Sequence, residues 1–300
     1  MVVAGGLGAT LILASRELGR EALPFEQVVH YQLDKLERSV PDTVFLGDSS
    51  LGNAISAERW SELRGETAAN LALTGSYGYV GAYNLLQRVV ARGTPKNVVI
   101  MFNIGVLRRG ESTVDIANNL TAPPGALSFW QKATSSWRIY INTDQFIDSM
   151  QWLRHSTFAV FGLSKPENHG SDTTILEDDY IKQGKAREPV KYVGGYQPSS
   201  LDFAHLEYLH KIAEICARYQ INCVYAHGPL FHRMCSSSEK YISRAFEAVK
   251  GSALPIATDR PFCFADDELG DTFNHVKPGL KPTYTERYLT LLSPYLSAPR

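Results

Sequence analysis

The 300-residue chain lacks the features that mark several common functional classes. It has no excess of either charge, since 30 Lys and Arg residues and 31 Asp and Glu residues leave a formal net charge of -1. Without a basic surface, nucleic acid is not an expected partner. No glycine-rich phosphate loop is present either, so no nucleotide cofactor is expected.

Cysteine is scarce, and its spacing excludes the usual zinc patterns. The four cysteines contain no CxxC pair, so no metal site is expected. Cys216 falls in a helical stretch and Cys223 at the start of a strand, which predicts two buried apolar residues. Cys235 and Cys263 follow predicted strands, and the sequence leaves open whether they form a disulfide.

A full-length membrane-spanning run is also missing. The segment Met1 to Ser15 is uncharged and mostly apolar, but it is shorter than the roughly 20 residues that span a bilayer. It lacks the basic leading region of a signal peptide. We interpret residues 1–22 as a membrane-anchor remnant and expect an extracytoplasmic protein, periplasmic or at the cell surface. The alternative is a short buried helix or strand.

What the chain does contain is an alternation of strand-like and helical patterns. The predicted strands lie at Val44–Leu46, Ala68–Leu73, Asn97–Phe102 and Asn222–Ala226, with a fifth between Ile256 and Ala265. The predicted helices lie at Glu26–Arg38, Leu51–Leu63, Gly78–Val90, Leu201–Tyr219, Ser236–Val249 and Lys281–Leu292. Such alternation predicts a three-layer α/β fold of flavodoxin-like type, with a central parallel sheet.

The alternation stops between about residue 104 and residue 200, which predicts an insertion within one domain spanning residues 23–300. The insertion holds three of the four tryptophans and a polar tract from Lys165 to Asp179. Its aromatic residues either line a substrate cleft or form a small core of their own. Arg108 and Arg109 stand just after the third strand, where they either contact an anionic glycan or are solvated.

Chemically useful residues stand where the first three strands end: Ser49, Gly75 and Asn103. Because the carboxyl ends of parallel strands line up along one edge of a sheet, these residues are expected to meet there. They would bring a nucleophilic hydroxyl to three oxyanion donors, namely the backbone N–H groups of Ser49 and Gly75 and the Asn103 amide. Asp48 is interpreted as a turn residue and Ser50 as a helix-start residue.

A serine nucleophile needs a base, and His275 in the loop before the last helix is the expected one. Asp271, four residues earlier, can accept a hydrogen bond from the imidazole Nδ1–H and stabilise the imidazolium. Asp266 and Asp267 remain alternatives for this carboxylate. His227, which ends the fourth strand, is the alternative base.

These residues, in this order, resemble the SGNH (GDSL-type) hydrolase superfamily over nearly the whole chain apart from the insertion. The resemblance implies Ser49 as nucleophile, Gly75 and Asn103 as oxyanion-hole residues, and an Asp271–His275 pair that completes the triad. The chain departs from the family pattern at two places. The family's Gly-x-Asn-Asp reads Met101-Phe102-Asn103-Ile104 here, and four positions separate the Asp from the His where the family has three.

The apolar N-terminus, the insertion and the segment from His275 to Thr285 are similar to membrane-anchored SGNH-like proteins of bacterial polysaccharide and cell-surface O-acylation. This similarity implies an acylated small-molecule or carbohydrate substrate and a multipass membrane acyltransferase as partner. The expected function is acyl-ester chemistry through an acyl-enzyme on Ser49, as an esterase or an O-acyltransferase. The alternatives are a non-catalytic binding or assembly subunit of such a system and a secreted lipase, which the polar tract disfavours.

Overall fold

The computed structural model describes residues 24–37, 39–108, 117, 121–126, 176–177, 179–192 and 194–298. The strands are β1 (Thr43–Gly47), β2 (Ala68–Asn70), β3 (Asn97–Phe102), β4 (Leu176–Glu177), β5 (Tyr180–Ile181), β6 (Asn222–His227), β7 (Leu230–Phe231) and β8 (Cys263–Phe264). The helices are α1 (Pro24–Asp34), α2 (Ser49–Ala54), α3 (Ala57–Arg64), α4 (Gly78–Val90), α5 (Leu206–Tyr219), α6 (His232–Ser237), α7 (Glu239–Lys250) and α8 (Lys281–Leu292).

The central sheet is parallel and has the strand order β2–β1–β3–β6. Both inner strands are buried along their whole length, as the continuous apolar run of β3 predicts for a strand covered on both faces. Helix α4 packs against α5, and α8 packs against α2 and α3, so helices lie on both sides of the sheet. The predicted α/β fold with a central parallel sheet is confirmed.

The backbones of β1 and β3 approach each other closely at the end where the chemically useful residues were expected. A Cβ atom on Gly47 would lie 1.8 Å from the carbonyl oxygen of Met101, so only glycine fits there. The next backbone N–H, that of Asp48, donates to the same oxygen at 3.3 Å. This contact brings the turn after β1 beside the end of β3.

The helix predicted over Leu51 to Leu63 is in fact two helices, α2 and α3. Ile55 between them is extended, and its carbonyl oxygen accepts a hydrogen bond from Asn70 Nδ2 at 2.8 Å. Ser56 then starts α3 by accepting a hydrogen bond from the N–H of Arg59 on its hydroxyl. A contact with β2, remote in sequence, therefore breaks a helix that the local pattern favours.

Two predicted strands differ from expectation, β2 in its length and the fifth strand in its partner. Strand β2 ends at Asn70, although the N–H groups of Leu71 and Leu73 still donate to β1, at 2.9 Å each. In the region of the predicted fifth strand, Ile256 makes one parallel bridge to Tyr225 of β6. The short fifth strand expected between Ile256 and Ala265 is β8, which pairs with β7 in a separate small sheet and not with the central one.

All four cysteines form disulfides. Cys235 in α6 is bonded to Cys263 in β8, which settles the pairing that the sequence left open. Cys216 and Cys223 are also bonded to each other, which corrects their interpretation as separate apolar residues, although both are buried. The end of α5 and the start of β6 lie close enough for this bond, with the two Cα atoms 6.1 Å apart.

The expected membrane-anchored, extracytoplasmic location is corrected by one finding. Within the residue ranges given above, no helix is both long and apolar enough to cross a bilayer. The segment 1–22, on which the expectation rested, lies outside the described residues. So do Arg109 and the three tryptophans of the insertion.

Candidate active site

The structure brings Asp271 and His275 together in the loop before α8. Nδ1 of His275 lies 2.7 Å from Oδ1 of Asp271. The loop is held in shape because the N–H of Gly270 donates to the His275 carbonyl oxygen at 2.8 Å. Of the two alternative carboxylates, Asp266 instead binds His232 and Arg233 on the surface, and Asp267 is exposed.

The surroundings of Asp271 favour a carboxylate that accepts from the imidazole. Burial raises the pKa of Asp271, but the hydrogen bond and charge of His275, with a hydrogen bond from the N–H of Gly184, lower it below the ordinary value on balance. A carboxylate only accepts, so the hydrogen resides on Nδ1 of His275 and leaves Nε2 as the basic nitrogen. His275 is 9% exposed, and its Nε2 has no hydrogen-bond partner among the described residues.

Ser49 is the first residue of α2, directly after the turn at the end of β1. Its side chain is half-buried, and its hydroxyl makes no hydrogen bond within the described part of the chain. The first N–H groups of a helix have no acceptor inside the helix. Asp48 caps this helix by accepting from the N–H of Ser50, which leaves the N–H of Ser49 available to a ligand.

Asp48 is more than a turn residue, because its buried carboxylate joins β1 to β3. Oδ1 accepts from the N–H of Ser50 at 2.9 Å and from its hydroxyl at 2.6 Å. Oδ2 accepts from the N–H of Asn103 at 3.1 Å and also from Nδ2 of that residue. Ser50 is fully buried, so the half-buried Ser49 is the more accessible serine of the pair.

The Asn103 amide is fixed from two sides. Its Oδ1 accepts from the N–H of Gly105 at 2.8 Å, while Nδ2 donates one hydrogen to Asp48. A primary amide has two such hydrogens, so the second remains for a ligand. Gly75 begins a 3-10 turn, Gly75–Tyr77. Two residues earlier, the N–H of Leu73 donates to the carbonyl oxygen of Gly47, the residue before Asp48. The ends of β1, β2 and β3 thus converge as expected.

Two residues of this region carry no signal in the sequence. Asn53 Nδ2 donates to the carbonyl oxygen of Ser49 at 2.8 Å, and Asn53 Oδ1 accepts from Gln183 Nε2 at 2.9 Å. Oε1 of Gln183 in turn accepts from the N–H of Asp271 at 3.3 Å. This chain of hydrogen bonds links the helix of Ser49 to the loop of Asp271 and His275.

His227, the alternative base, is unsuited to that role. It is 1% exposed, and neither ring nitrogen has a hydrogen-bond partner among the residues described. Burial lowers its pKa to about 4, and the charge of Asp259 offsets only part of this shift. His227 is therefore a buried neutral residue at the end of β6, an edge strand of the central sheet.

Arg108, which the sequence offered as a glycan contact or a solvated residue, is exposed and lies 4.8 Å from the ring centre of Tyr196.

No metal site emerges from the described ranges, where no group of three or more His, Cys, Asp or Glu residues is placed to hold an ion. The candidate site therefore consists of a serine, a histidine–carboxylate pair and a set of hydrogen-bond donors. This is the residue set of nucleophilic acyl transfer.

Comparisons with known proteins leave the family of this chain open. No family model and no curated protein matches it. Among solved structures, it is similar to the acetyl xylan esterase Est2A from the rumen bacterium Butyrivibrio proteoclasticus, at 10% identity and a TM-score of 0.33. The alignment covers 84% of this chain and 63% of that one, so the chain spans less than two thirds of the esterase. A likeness this low carries no argument about activity.

Proposed function

We propose that the chain is a serine-dependent esterase or O-acyltransferase that acts through an acyl-enzyme on Ser49. The observation that supports this most directly is the Asp271–His275 pair, in which Nε2 of a nearly buried histidine is left without a partner. A buried basic nitrogen of this kind is suited to taking a proton from a hydroxyl. The hydrogen-bond chain through Asn53 and Gln183 ties this pair to the helix that begins at Ser49.

In the proposed reaction, the Ser49 oxygen attacks the ester carbonyl carbon while its proton passes to Nε2 of His275. Asp271 keeps the hydrogen on Nδ1 and stabilises the imidazolium. The N–H groups of Ser49 and Gly75 and the second amide hydrogen of Asn103 bind the oxyanion. The leaving alcohol takes the proton from His275, and the acyl group stays on Ser49. Water or a sugar hydroxyl then attacks this acyl-enzyme, again with His275 as base, and restores the free serine.

A carbohydrate is the proposed carrier of the acyl group. The support is the resemblance to polysaccharide O-acylation proteins, together with aromatic residues beside the loop of Asp271 and His275. Phe273, between Asp271 and His275, is half-buried and lies 5.5 Å from the ring of Tyr192 and 6.0 Å from that of Tyr196. We propose that the half-buried Phe273 and Tyr192, with the exposed Arg108 against the buried Tyr196, form a partly apolar surface with a charged edge. Such a surface suits a sugar with polar or anionic substituents.

The first experiment compares release of p-nitrophenol from p-nitrophenyl acetate by the wild type, Ser49→Ala and His275→Gln. We expect each variant to lose at least about 10³-fold in kcat, as removal of a triad member does. Ser61→Ala in α3, outside the site, is the matched control and should keep wild-type activity. Activity that survives Ser49→Ala would contradict the assignment of the nucleophile.

A second experiment separates the catalytic proposal from a non-catalytic binding subunit on the same scaffold. A fluorophosphonate probe should label Ser49 and not the buried Ser50, with the site identified by peptide mass spectrometry. No labelling of a folded wild type would favour the binding subunit. Transfer is distinguished from hydrolysis by adding xylo-oligosaccharides to the ester assay. A transferase yields acetylated sugar in the mass spectrum, and an esterase yields free acetate alone.

A further inference from the structure

The segment 179–184 contacts the helix that begins at Ser49, the residues before Gly75 and the loop of Asp271 and His275, and it is anchored at its start. At its start, Asp179 Oδ2 accepts from the N–H of Ala57 at 2.7 Å. Its carbonyl oxygen accepts from Lys35 Nζ at 2.9 Å and from Gln32 Nε2 at 3.3 Å. The ammonium of Lys35 also lies 3.9 Å from Asp179 Oδ1. All of these contacts are made by Asp179, and they fix the start of the segment both to α3 and to the residues around α1.

The next residue, Tyr180, packs directly on the helix that carries Ser49. A Cβ atom on Gly52 of α2 would lie 2.3 Å from Cγ of Tyr180, so the ring rests on the backbone of that helix. The hydroxyl of Tyr180 donates to the carbonyl oxygen of Leu73 at 2.9 Å, two residues before Gly75. The buried tyrosine therefore contacts two of the elements that supply proposed oxyanion donors.

Gln183 uses its whole amide to join the two halves of the site. Nε2 donates to Asn53 Oδ1 at 2.9 Å and to the carbonyl oxygen of Val276 at 2.7 Å. Oε1 accepts from the N–H of Asp271 at 3.3 Å. The following N–H, that of Gly184, donates to Asp271 Oδ2 at 3.0 Å. One side chain thus holds both ends of the Asp271–His275 loop against the helix of Ser49.

We propose that Gln183 is a positioning residue, which fixes the distance and orientation between Ser49 and the Asp271–His275 pair. The inference rests on the proposed function, because it explains the hydrogen bonds of Gln183 by the reaction proposed for Ser49 and His275. Misplacement of reacting groups by about 1 Å can cost about 10²-fold in rate. Outer-shell residues that orient the ligands of a metal site contribute about 10-fold to 100-fold to activity, and we expect a loss of the same order when Gln183 is replaced.

The kinetic test replaces the amide with an apolar chain of similar length, Gln183→Met. We expect kcat on p-nitrophenyl acetate to fall about 10-fold to 100-fold, while KM changes less than about 3-fold. The matched control is Gln87→Met in α4, because Gln87 also donates from Nε2 to an asparagine, Asn84 Oδ1, at 3.3 Å. This control should keep wild-type kcat. Thermal unfolding of each variant verifies that it is folded.

The second measurement does not depend on catalysis. Two-bond proton–nitrogen correlations from the ring C–H protons report the tautomer of His275, assigned by their absence in His275→Gln. We expect the wild type to hold the hydrogen on Nδ1 and Gln183→Met to show a mixture of tautomers, with Gln87→Met unchanged. If the wild type cleaves no ester, the proposed function fails and the tautomer alone decides about Gln183.

Two outcomes would overturn the inference: a tautomer unchanged in Gln183→Met, or a kcat within about 2-fold of wild type in an active enzyme. If Gln183→Met does not fold, Gln183→Glu takes its place in both measurements. That variant keeps an acceptor for the N–H of Asp271 but sets a carboxylate against two oxygens, those of Asn53 and Val276. We expect it to show the same loss of kcat and the same mixed tautomers.

Discussion

The carboxylate of Asp48 accepts two hydrogen bonds from Asn103, one from its backbone and one from its side-chain amide, and so joins the ends of β1 and β3. Both residues are buried, and the amide they fix is the one proposed to bind the oxyanion. The same carboxylate also accepts from the N–H and the hydroxyl of Ser50, so it holds Asn103 and Ser50 beside the turn that carries Ser49.

The first prediction concerns this buried carboxylate. Asp48→Asn replaces an oxygen with a donor group, which would face donors of Asn103 or Ser50 and leave buried groups unpaired. Each such group costs about 1 to 3 kcal/mol, so we expect a loss of about 2 to 4 kcal/mol in the free energy of unfolding, measured in urea. Asp34→Asn at the exposed end of α1 is the control and should change it by less than about 0.5 kcal/mol. Equal stability of the two variants would contradict the described role of Asp48.

A second prediction concerns Gly228, which follows β6. A Cβ atom there would lie 2.0 Å from Ser50 Oγ and 3.3 Å from the backbone nitrogen of Asn103. Gly228→Ala must therefore displace Ser50, and we expect a loss of about 1 to 3 kcal/mol in stability with a fall in ester cleavage. Gly279→Ala is the control, because nothing lies within 4 Å of its added Cβ. A Gly228→Ala protein as stable and active as Gly279→Ala would show that the turn tolerates a methyl group.

The third prediction concerns pH and the buried His227. Its pKa is about 4 in the folded protein against 6.5 ordinarily, because burial disfavours the charged ring. Between these values the unfolded chain binds the proton and the folded one does not. The neutral ring's contribution to stability is thus complete above about pH 6.5 and declines as the pH falls towards 4. The full shift corresponds to about 3 kcal/mol.

His227→Phe removes this titration and keeps an aromatic ring beside Tyr225, whose ring centre lies 5.3 Å away. We expect the variant to lose less stability than the wild type between pH 7 and pH 4, measured by urea unfolding at each pH. Asp259 is the charged group acting on this ring, and it stays in place in the variant. The exposed His210→Gln is the control and should follow the wild type. If the stability of His227→Phe depends on pH as that of the wild type does, a group other than His227 causes the loss of stability in acid.

The fourth prediction compares the two disulfides, which span different lengths of chain. Cys235 and Cys263 are 28 positions apart, whereas Cys216 and Cys223 are 7 apart. Loop-closure entropy of the unfolded chain gives about 3.5 kcal/mol for the longer loop and about 2.4 kcal/mol for the shorter one. Replacing both cysteines of each pair with alanine should therefore destabilise the protein more for the longer loop. Peptide mass spectrometry without reduction checks the pairing, and a reversed order of stabilities would contradict the entropic account.

Local patterns in the sequence were sufficient to predict several elements to the residue. Strand β3 and helices α4 and α8 have the predicted bounds, because an apolar run or a helical spacing acts within one segment. The Asp271–His275 pair was also predictable, since four positions in one loop keep the two side chains within reach. The predicted helix over Leu51 to Leu63 was wrong, because a contact with Asn70 on another element interrupts it.

The sequence by itself therefore determined the bounds of β3, α4 and α8, the order of candidate residues along the chain and a favoured histidine–carboxylate pair with its alternatives. Only the tertiary structure decided which hydrogen bonds join the turn after β1, the end of β3 and the loop of Asp271 and His275. Gln183 and Asn53 are 130 positions apart, and Asp48 and Asn103 are 55 apart. Asparagine and glutamine are ordinary surface residues with no periodic pattern, so their partners depend on the path of the folded chain. That path is set by the packing of the whole sheet and its helices, which no local stretch of the sequence contains.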